Sequence, residues 1–420
     1  MKLVRRHACS KITSLLGSFP LVAVTGARQV GKSTLAKQIL EDIEGSYVTL
    51  DDPVALNRAA EDPLGFVRTS KGLLVIDEIQ LVPGLLPVLK AEIDRDRRPG
   101  RFLVTGSAKL LKMRSVTESL AGRSAWFELP PLLWSEIAEK PLPTPIDAAF
   151  EATDIESFVS GLGTPAEGHV RAARERAFLG GMPEPLHLDG EMRRAWYDAY
   201  RQTFVERDLR QLSRIENLPD FHRLSTLALL RTSGLLNLSG LGADAGLNHA
   251  TARRYLNVLE VAYQVFELSP YFVNVGKRLV KRPKLYANEV GMAAHVANVD
   301  SWETAEASAK AGPLFETWVV NELRALDDYS SRRASIHYWR TSAGAEVDLV
   351  FERGVDIVAV EVKSSATVHW RETSGLRALR DDLGTRFRLG IVAYLGDELE
   401  VLDESHCMVP VASLLGVTRD

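Results

Sequence analysis

Residues 21–40, LVAVTGARQVGKSTLAKQIL, constrain the fold more than any other part of the chain. An apolar run gives way to a glycine-bounded turn and then to an amphipathic run. Gly26, four further residues, then Gly31, Lys32 and Ser33 satisfy G-x-x-x-x-G-K-[ST]. In that pattern backbone N–H groups wrap phosphates, the lysine reaches the terminal ones and the hydroxyl ligates Mg²⁺. A Cβ at either glycine would block the tight turn, and a helix opening at Lys32 points its positive end at the anion. Residues 21–25 read as a buried strand and residues 32–41 as a helix with Leu35, Ile39 and Leu40 on one side, the setting the motif demands. Gly26, Ala27, Arg28, Gln29, Val30, Gly31, Lys32, Ser33 and Thr34 are the expected loop for ATP or GTP.

A second signature follows at residues 72–78, GLLVIDE, an apolar strand ending in two carboxylates. Asp77 is expected to orient Mg²⁺ together with Ser33, and Glu78 to activate a water; Lys32 and Glu78 are the catalytic candidates. Residues 101–105, RFLVT, read as another buried strand running into Gly106 and Ser107, where a hydroxyl from Thr105 or Ser107 can hold the attacking water. Residues 46–50 and 125–129 complete a set of strands that alternate with helices. Alternation of this kind implies a parallel α/β sheet covered on both faces, with the ligand at the strand C-terminal ends.

The length of 420 residues fits two to three domains, and 45% apolar with 25% charged residues is ordinary globular composition. A net charge of −4 gives no global attraction to nucleic acid, so any basic surface is local. Cys9 and Cys407 are too few for a disulfide framework or a cysteine zinc site. With no leader and no uninterrupted apolar span, the reading is a cytoplasmic protein without a membrane segment.

GARQVGKST, SYVTLDDP, LLVIDEIQ, FLVTGSA and LAGR, in that order, resemble the N-terminal ATPase module of a prokaryotic family of AAA-type ATPases whose C-terminal half was long catalogued as a domain of unknown function. The resemblance implies a Mg²⁺-dependent ATPase of the additional-strand class, with Asp77 and Glu78 as the Walker B pair. It also implies a homo-oligomer in which an arginine from a neighbour completes the site, with Arg28, Arg114 and Arg123 as candidates. Residues 180–184 and 203–215 resemble that family's entry into its C-terminal half; Glu206, Arg207, Asp208 and Arg210 read as a charged helix face.

Residues 222–285 have winged-helix character, with Thr251, Arg253, Arg254 and Asn257 on the outer side of a helix. The following ribbon concentrates Lys277, Arg278, Lys281, Arg282 and Lys284, which suits phosphate contact; packing against the ATPase or a protein partner is the other reading. Residues 345–351 and 357–363 alternate as two strands around a Gly354 turn, so Glu361 and Lys363 share a face, opposite Val360 and Val362, and project toward Asp348. The spacing resembles the Asp…Glu-x-Lys core of restriction-endonuclease-like nucleases. That resemblance implies that Asp348 and Glu361 bind Mg²⁺ and that Lys363 stabilises charge, with Glu316 as the helical acid. Cross-strand ion pairs would place the same residues together without cleavage.

The expected organisation is an AAA-type P-loop ATPase domain at residues 1–135, a connector with helical pieces at 136–190, a helical and winged-helix domain at 191–300 and a restriction-endonuclease-like α/β domain at 301–420. The expected function is ATP hydrolysis that remodels, translocates on or licenses cleavage of DNA. The alternative is a nucleotide-controlled switch for a protein partner, with an inert nuclease-like scaffold.

Overall fold

Three continuous apolar runs become the interior of a parallel sheet. They are Leu21–Thr25 (β1), Leu73–Asp77 (β3) and Phe102–Gly106 (β4), in each of which every residue is buried. Gly45–Thr49 (β2) and Ser124–Glu128 (β5) are partly exposed and form the two edges. The order is β2–β3–β4–β1–β5, parallel throughout. Strands covered on both faces read as unbroken apolar stretches, whereas edges do not. Strand β4 therefore lies between the strand that feeds the phosphate loop and the strand that ends in Asp77, as the additional-strand class requires. Helices Ala8–Leu16 (α1), Lys32–Asp42 (α2), Pro53–Glu61 (α3), Pro63–Val67 (α4) and Leu85–Arg95 (α5) complete this α/β layer. Asp52 and Asp62 cap α3 and α4 by accepting from Val54 N and Gly65 N, each with a proline at the first helical position. Helix α5 starts later than the apolar pattern suggests, because Ile79–Leu81 forms a 3₁₀ turn ahead of Pro83 and Gly84.

The computed structural model describes residues 3–107, 120, 122–203, 215, 217–274, 276, 278 and 281–419. These belong to two units, Met1–Leu132 with Glu260–Tyr263, and Leu133–Leu259 with Gln264–Asp420. Arg114, Glu206, Arg207, Asp208, Arg210 and Lys277 lie outside the described residues.

The second unit opens with a succession of helices, the longest being His169–Leu179, Gly190–Thr203 and Leu218–Leu230. Then come Gly234–Leu235 (β6), the helices Leu238–Asp244 and His249–Val261, Val265–Leu268 (β7) and Lys284–Ala287 (β8). The three strands form an antiparallel sheet in the order β6–β8–β7. A 19-residue helix, Ala311–Tyr329, leads into a mixed sheet. Its strands are Ser335–Arg340 (β9), Glu346–Arg353 (β10), Asp356–Lys363 (β11), Phe387–Tyr394 (β12), Glu400–Val401 (β13) and His406–Pro410 (β14), ordered β13–β14–β12–β11–β10–β9. Strands β10 and β11 pair antiparallel across a turn in which Gly354 has φ +62°. Among the described residues no helix is long and apolar enough to cross a membrane.

Candidate functional site

The loop from Gly26 to Gly31 leaves β1 at the C-terminal edge of the sheet and enters α2 at Lys32. Gly26 has φ +148°, and a Cβ there would stand 2.6 Å from the Leu129 carbonyl oxygen; Gly31, capping α2, has φ +100°. Both positions need glycine for backbone conformation, and the first also for space. Ala27 and Val30 are buried, Arg28 and Thr34 partly buried, and Gln29 is exposed at φ +60°. The Lys32 ammonium is buried and donates to the Gly26 and Ala27 carbonyls at 3.1 and 2.8 Å. It is held inside the loop, where a phosphate would offer it better acceptors.

The Ser33 hydroxyl donates to Asp77 Oδ2 at 2.8 Å. Thr105 Oγ1 donates to Asp77 Oδ1 and accepts the Glu78 N–H at 3.2 Å. Ser107 Oγ instead donates to Glu78 Oε2 at 3.3 Å, and Gln80 Nε2 donates both to that carboxylate and to Ser107 Oγ. The two strand-tip hydroxyls thus divide their work: Thr105 fixes Asp77, and Ser107 sits at Glu78. Glu78 itself has φ +59°, a left-handed conformation costing about 1–3 kcal/mol in a residue other than glycine.

Three further residues act at this site outside the phosphate-loop and Asp77–Glu78 signatures. Tyr47, from β2, donates its hydroxyl to Asp77 Oδ2 at 2.7 Å, and burial together with that carboxylate pushes the phenol far above its ordinary range. Gln80 bridges Glu78 and Ser107 as described. Arg6, just ahead of α1, is buried. Its guanidinium donates to Val30 O at 3.0 Å, Pro130 O at 2.6 Å and Pro131 O at 3.2 Å, bracing the phosphate loop against the exit of β5. Arg123 is engaged by Asp94 of the same chain at 2.6 and 3.0 Å. The hydroxyl of Ser33, the carboxylate of Asp77 and the glycine cradle are the donor set that a Mg²⁺–nucleotide complex requires, so the residues present fit that ligand.

In the second unit Asp348, Glu361, Lys363 and Glu316 are brought together, with two residues the motif does not include. Lys284, only 2% exposed on β8, places its ammonium 2.9 Å from Glu316 Oε1, 2.5 Å from Glu346 Oε1 and 3.0 Å from Asp348 Oδ1. Asp348 Oδ2 accepts the Val362 N–H at 2.9 Å, and Lys363 donates to Glu361 Oε1 at 2.8 Å. Burial lowers the pKa of Lys284, but Asp348, Tyr286, Glu316 and Glu346 outweigh it and hold the ammonium charged. Burial first, then Asp348, pushes Glu316 up to about 7 and Glu361 up to about 8. Among the described residues no group of three or more His, Cys, Asp or Glu is arranged to hold a metal ion. Asp348 and Glu361, expected from the nuclease resemblance to share Mg²⁺, do not fit that ion as they stand, because Asp348 is turned to the Lys284 ammonium and Glu361 to that of Lys363.

The expected basic ribbon divides in two. Lys284 and Arg278 are internal, the latter paired with Glu352 at 2.6 and 3.1 Å and lying over the Tyr271 ring. Lys281 and Arg282 are exposed. They border a groove of about 1450 Å³ that Tyr271, Phe272, Tyr338, Trp339 and Arg340 also line.

The phosphate loop, the Walker B pair and the interposed strand define an AAA-type P-loop ATPase domain, and residues 18–138 match a family model described as an AAA domain. Residues 170–303 and 311–414 match two models described as domains of unknown function, DUF8612 and DUF4143. The chain is 31% identical over 417 residues to the uncharacterized protein Mb2031c of Mycobacterium bovis and, equally, to the uncharacterized protein Rv2008c of Mycobacterium tuberculosis. Each match covers 99% of this chain and 85% of the relative, and the chain belongs to their family. Among solved structures, the Walker-type ATPase PABY2304 of Pyrococcus abyssi superposes with a TM-score of 0.43 at 15% identity, over 70% of this chain and 96% of that one.

Proposed function

We propose that the protein is a Mg²⁺-dependent ATPase, active as a homo-oligomer, whose hydrolysis cycle changes how its second unit holds DNA. The observation that carries the first part is the hydrogen-bonded series Ser33–Asp77–Thr105 beside the enclosed Lys32. Ser33 and Asp77 would hold Mg²⁺, which when bound offsets charge on the phosphates. Lys32 would exchange the Gly26 and Ala27 carbonyls for a terminal phosphate oxygen. Glu78, steadied by Gln80 and Ser107, would take the proton of the attacking water while Ser107 orients it.

Three features support DNA as the partner. The order helix, β6, two helices, β7, β8 is compatible with a winged helix. Lys281 and Arg282 form no ion pair among the described residues, which leaves them available to phosphates. Phe272, partly exposed in the adjoining groove, offers a stacking face for an unpaired base. The test is the ATPase rate with and without single-stranded, duplex and branched DNA. Lys32→Ala should abolish turnover and nucleotide binding, whereas Glu78→Gln should bind ATP and turn it over slowly. Charge reversal at Lys281 and Arg282 should weaken DNA binding alike for different sequences and flatten its salt dependence. A protein that binds none of the three DNAs, and whose rate none of them changes, would sink the DNA reading and leave the ATPase reading standing.

A further inference from the structure

The carboxylates of Glu316, Glu346, Asp348 and Glu361 supply the oxygen-rich surroundings that a divalent cation prefers, yet the centre of three of them is taken. Lys284 Nζ reaches an oxygen of Glu316, Glu346 and Asp348 within 2.5 to 3.0 Å. The other Asp348 oxygen is engaged by a backbone N–H and one Glu361 oxygen by Lys363, while Glu361 Oε2 is buried with no hydrogen-bond donor. A Mg²⁺ ion demands near-octahedral oxygen ligands at about 2.0–2.1 Å. That shell cannot close on oxygens already turned toward an ammonium, and a second cation beside the first would be repelled.

The backbone that carries Lys284 is fixed on both sides, since Lys284 pairs with Leu235 on β6 and with Leu268 on β7. The cation also comes from a different part of the chain than its anions. Lys284 falls within the 170–303 match, whereas the four carboxylates fall within the 311–414 match. We infer that Lys284 is a built-in cation standing where a divalent ion would sit, and that it closes the carboxylate cluster to metal. The second unit then engages its partner without metal-dependent strand cleavage. Removing the ammonium uncovers a latent divalent-ion site built from Glu316, Glu346, Asp348 and the unpaired oxygen of Glu361.

The inference stands apart from the ATPase reading, which the ATPase rate of every variant reports separately. Mn²⁺ binding to nucleotide-free protein is followed by electron paramagnetic resonance, and thermal unfolding is recorded with and without Mn²⁺. Wild type should show no Mn²⁺ binding that Asp348→Asn removes, and no Mn²⁺-dependent rise in Tm. Lys284→Met should lose several degrees of Tm, because Asp348, buried, and Glu316 and Glu346, partly buried, then face one another uncompensated, and Mn²⁺ should restore most of that loss. Adding Asp348→Asn to Lys284→Met should recover part of the stability without metal and abolish the Mn²⁺ effect. If Lys284→Met does not fold without metal, folding of the double variant supports the same conclusion, and failure of the double variant as well would make Lys284 a packing residue and overturn it. Mn²⁺ binding in wild type that Asp348→Asn eliminates would overturn it directly, as would a Lys284→Met protein of unchanged Tm that takes up no Mn²⁺.

Discussion

Replacing Glu322 with glutamine should remove a large pH dependence from the stability of the second unit. Glu322 lies on the Ala311–Tyr329 helix, and its carboxyl accepts the Trp134 N–H at 3.0 and 3.3 Å and the Trp318 indole N–H at 3.2 Å. Burial pushes it up to about 8 from an ordinary value of 4.5, with Glu136 adding repulsion and Arg176 working the other way. Between those two pH values the folded chain keeps a proton that the unfolded chain has released. Stability from this group is therefore complete below about pH 4.5 and is lost as pH rises to about 8. At about 1.4 kcal/mol per pH unit across that window, the ceiling is about 5 kcal/mol. In a unit of this size each kcal/mol moves Tm by about 2–4 °C, so the effect spans on the order of 10 °C. Glutamine accepts the same N–H donors but never ionises. Tm measured from pH 5 to pH 9 should fall more steeply for wild type than for Glu322→Gln, with the variant gaining on wild type as pH rises. Parallel curves would mean that the native carboxyl is already ionised at pH 5, and would refute the reasoning.

Gly26→Ala should cost nucleotide binding and about 2 kcal/mol or more of stability, because the new methyl meets the Leu129 oxygen at 2.6 Å and φ is +148°; an alanine variant with wild-type ATP affinity by calorimetry would contradict this. Tyr47→Phe should lower the urea midpoint of the first unit by an amount equivalent to about 1–3 kcal/mol, since the phenol donates to the Asp77 carboxylate; an unmoved midpoint would place that bond outside the energetics of the site. Arg123→Ala and Glu78→Gln subunits, each slow alone, should recover ATPase activity when mixed if Arg123 leaves Asp94 to reach a neighbouring site, a contribution of about 10³ or more in rate. No recovery at any ratio would confine Arg123 to its pairing within the chain.

The phosphate loop and its sheet were legible because their signals are local. β1, β3 and β4 are unbroken apolar runs, and the G-x-x-x-x-G-K-S spacing lies within one turn and one helix start. The period-two pattern likewise placed Glu361 and Lys363 together, and the structure pairs them. What sequence concealed depends on partners far along the chain. Lys284 and Arg278 read as surface charge of a basic ribbon, since the default for such side chains is solvent. The carboxylates they meet stand 32 to 74 positions away, on the Ala311–Tyr329 helix and β10. Residues 46–50 read only as a strand, and the parallel register that sets Thr49 beside Asp77 is what brings the Tyr47 hydroxyl to the carboxylate. Ser107 and Thr105 were both plausible water holders, and the fold alone assigns one to each acid.

The clamp made by Arg6 also sets a timetable for synthesis. Its guanidinium closes on the carbonyl of Pro130, 124 positions later, and β1 cannot gain β5 as a neighbour until that same stretch has been made. At about 5–20 residues per second the ribosome takes roughly 6–25 s to cover the interval. During it, the first helix and the half-built sheet hold a buried-to-be arginine and an open edge on the most apolar strand of the unit. A nascent chain halted before Pro130 is thus the form most exposed to strand-edge aggregation. A fragment begun at residue 18, where the AAA match starts, keeps the β1–β5 pairing but lacks the Arg6 clamp for its whole lifetime.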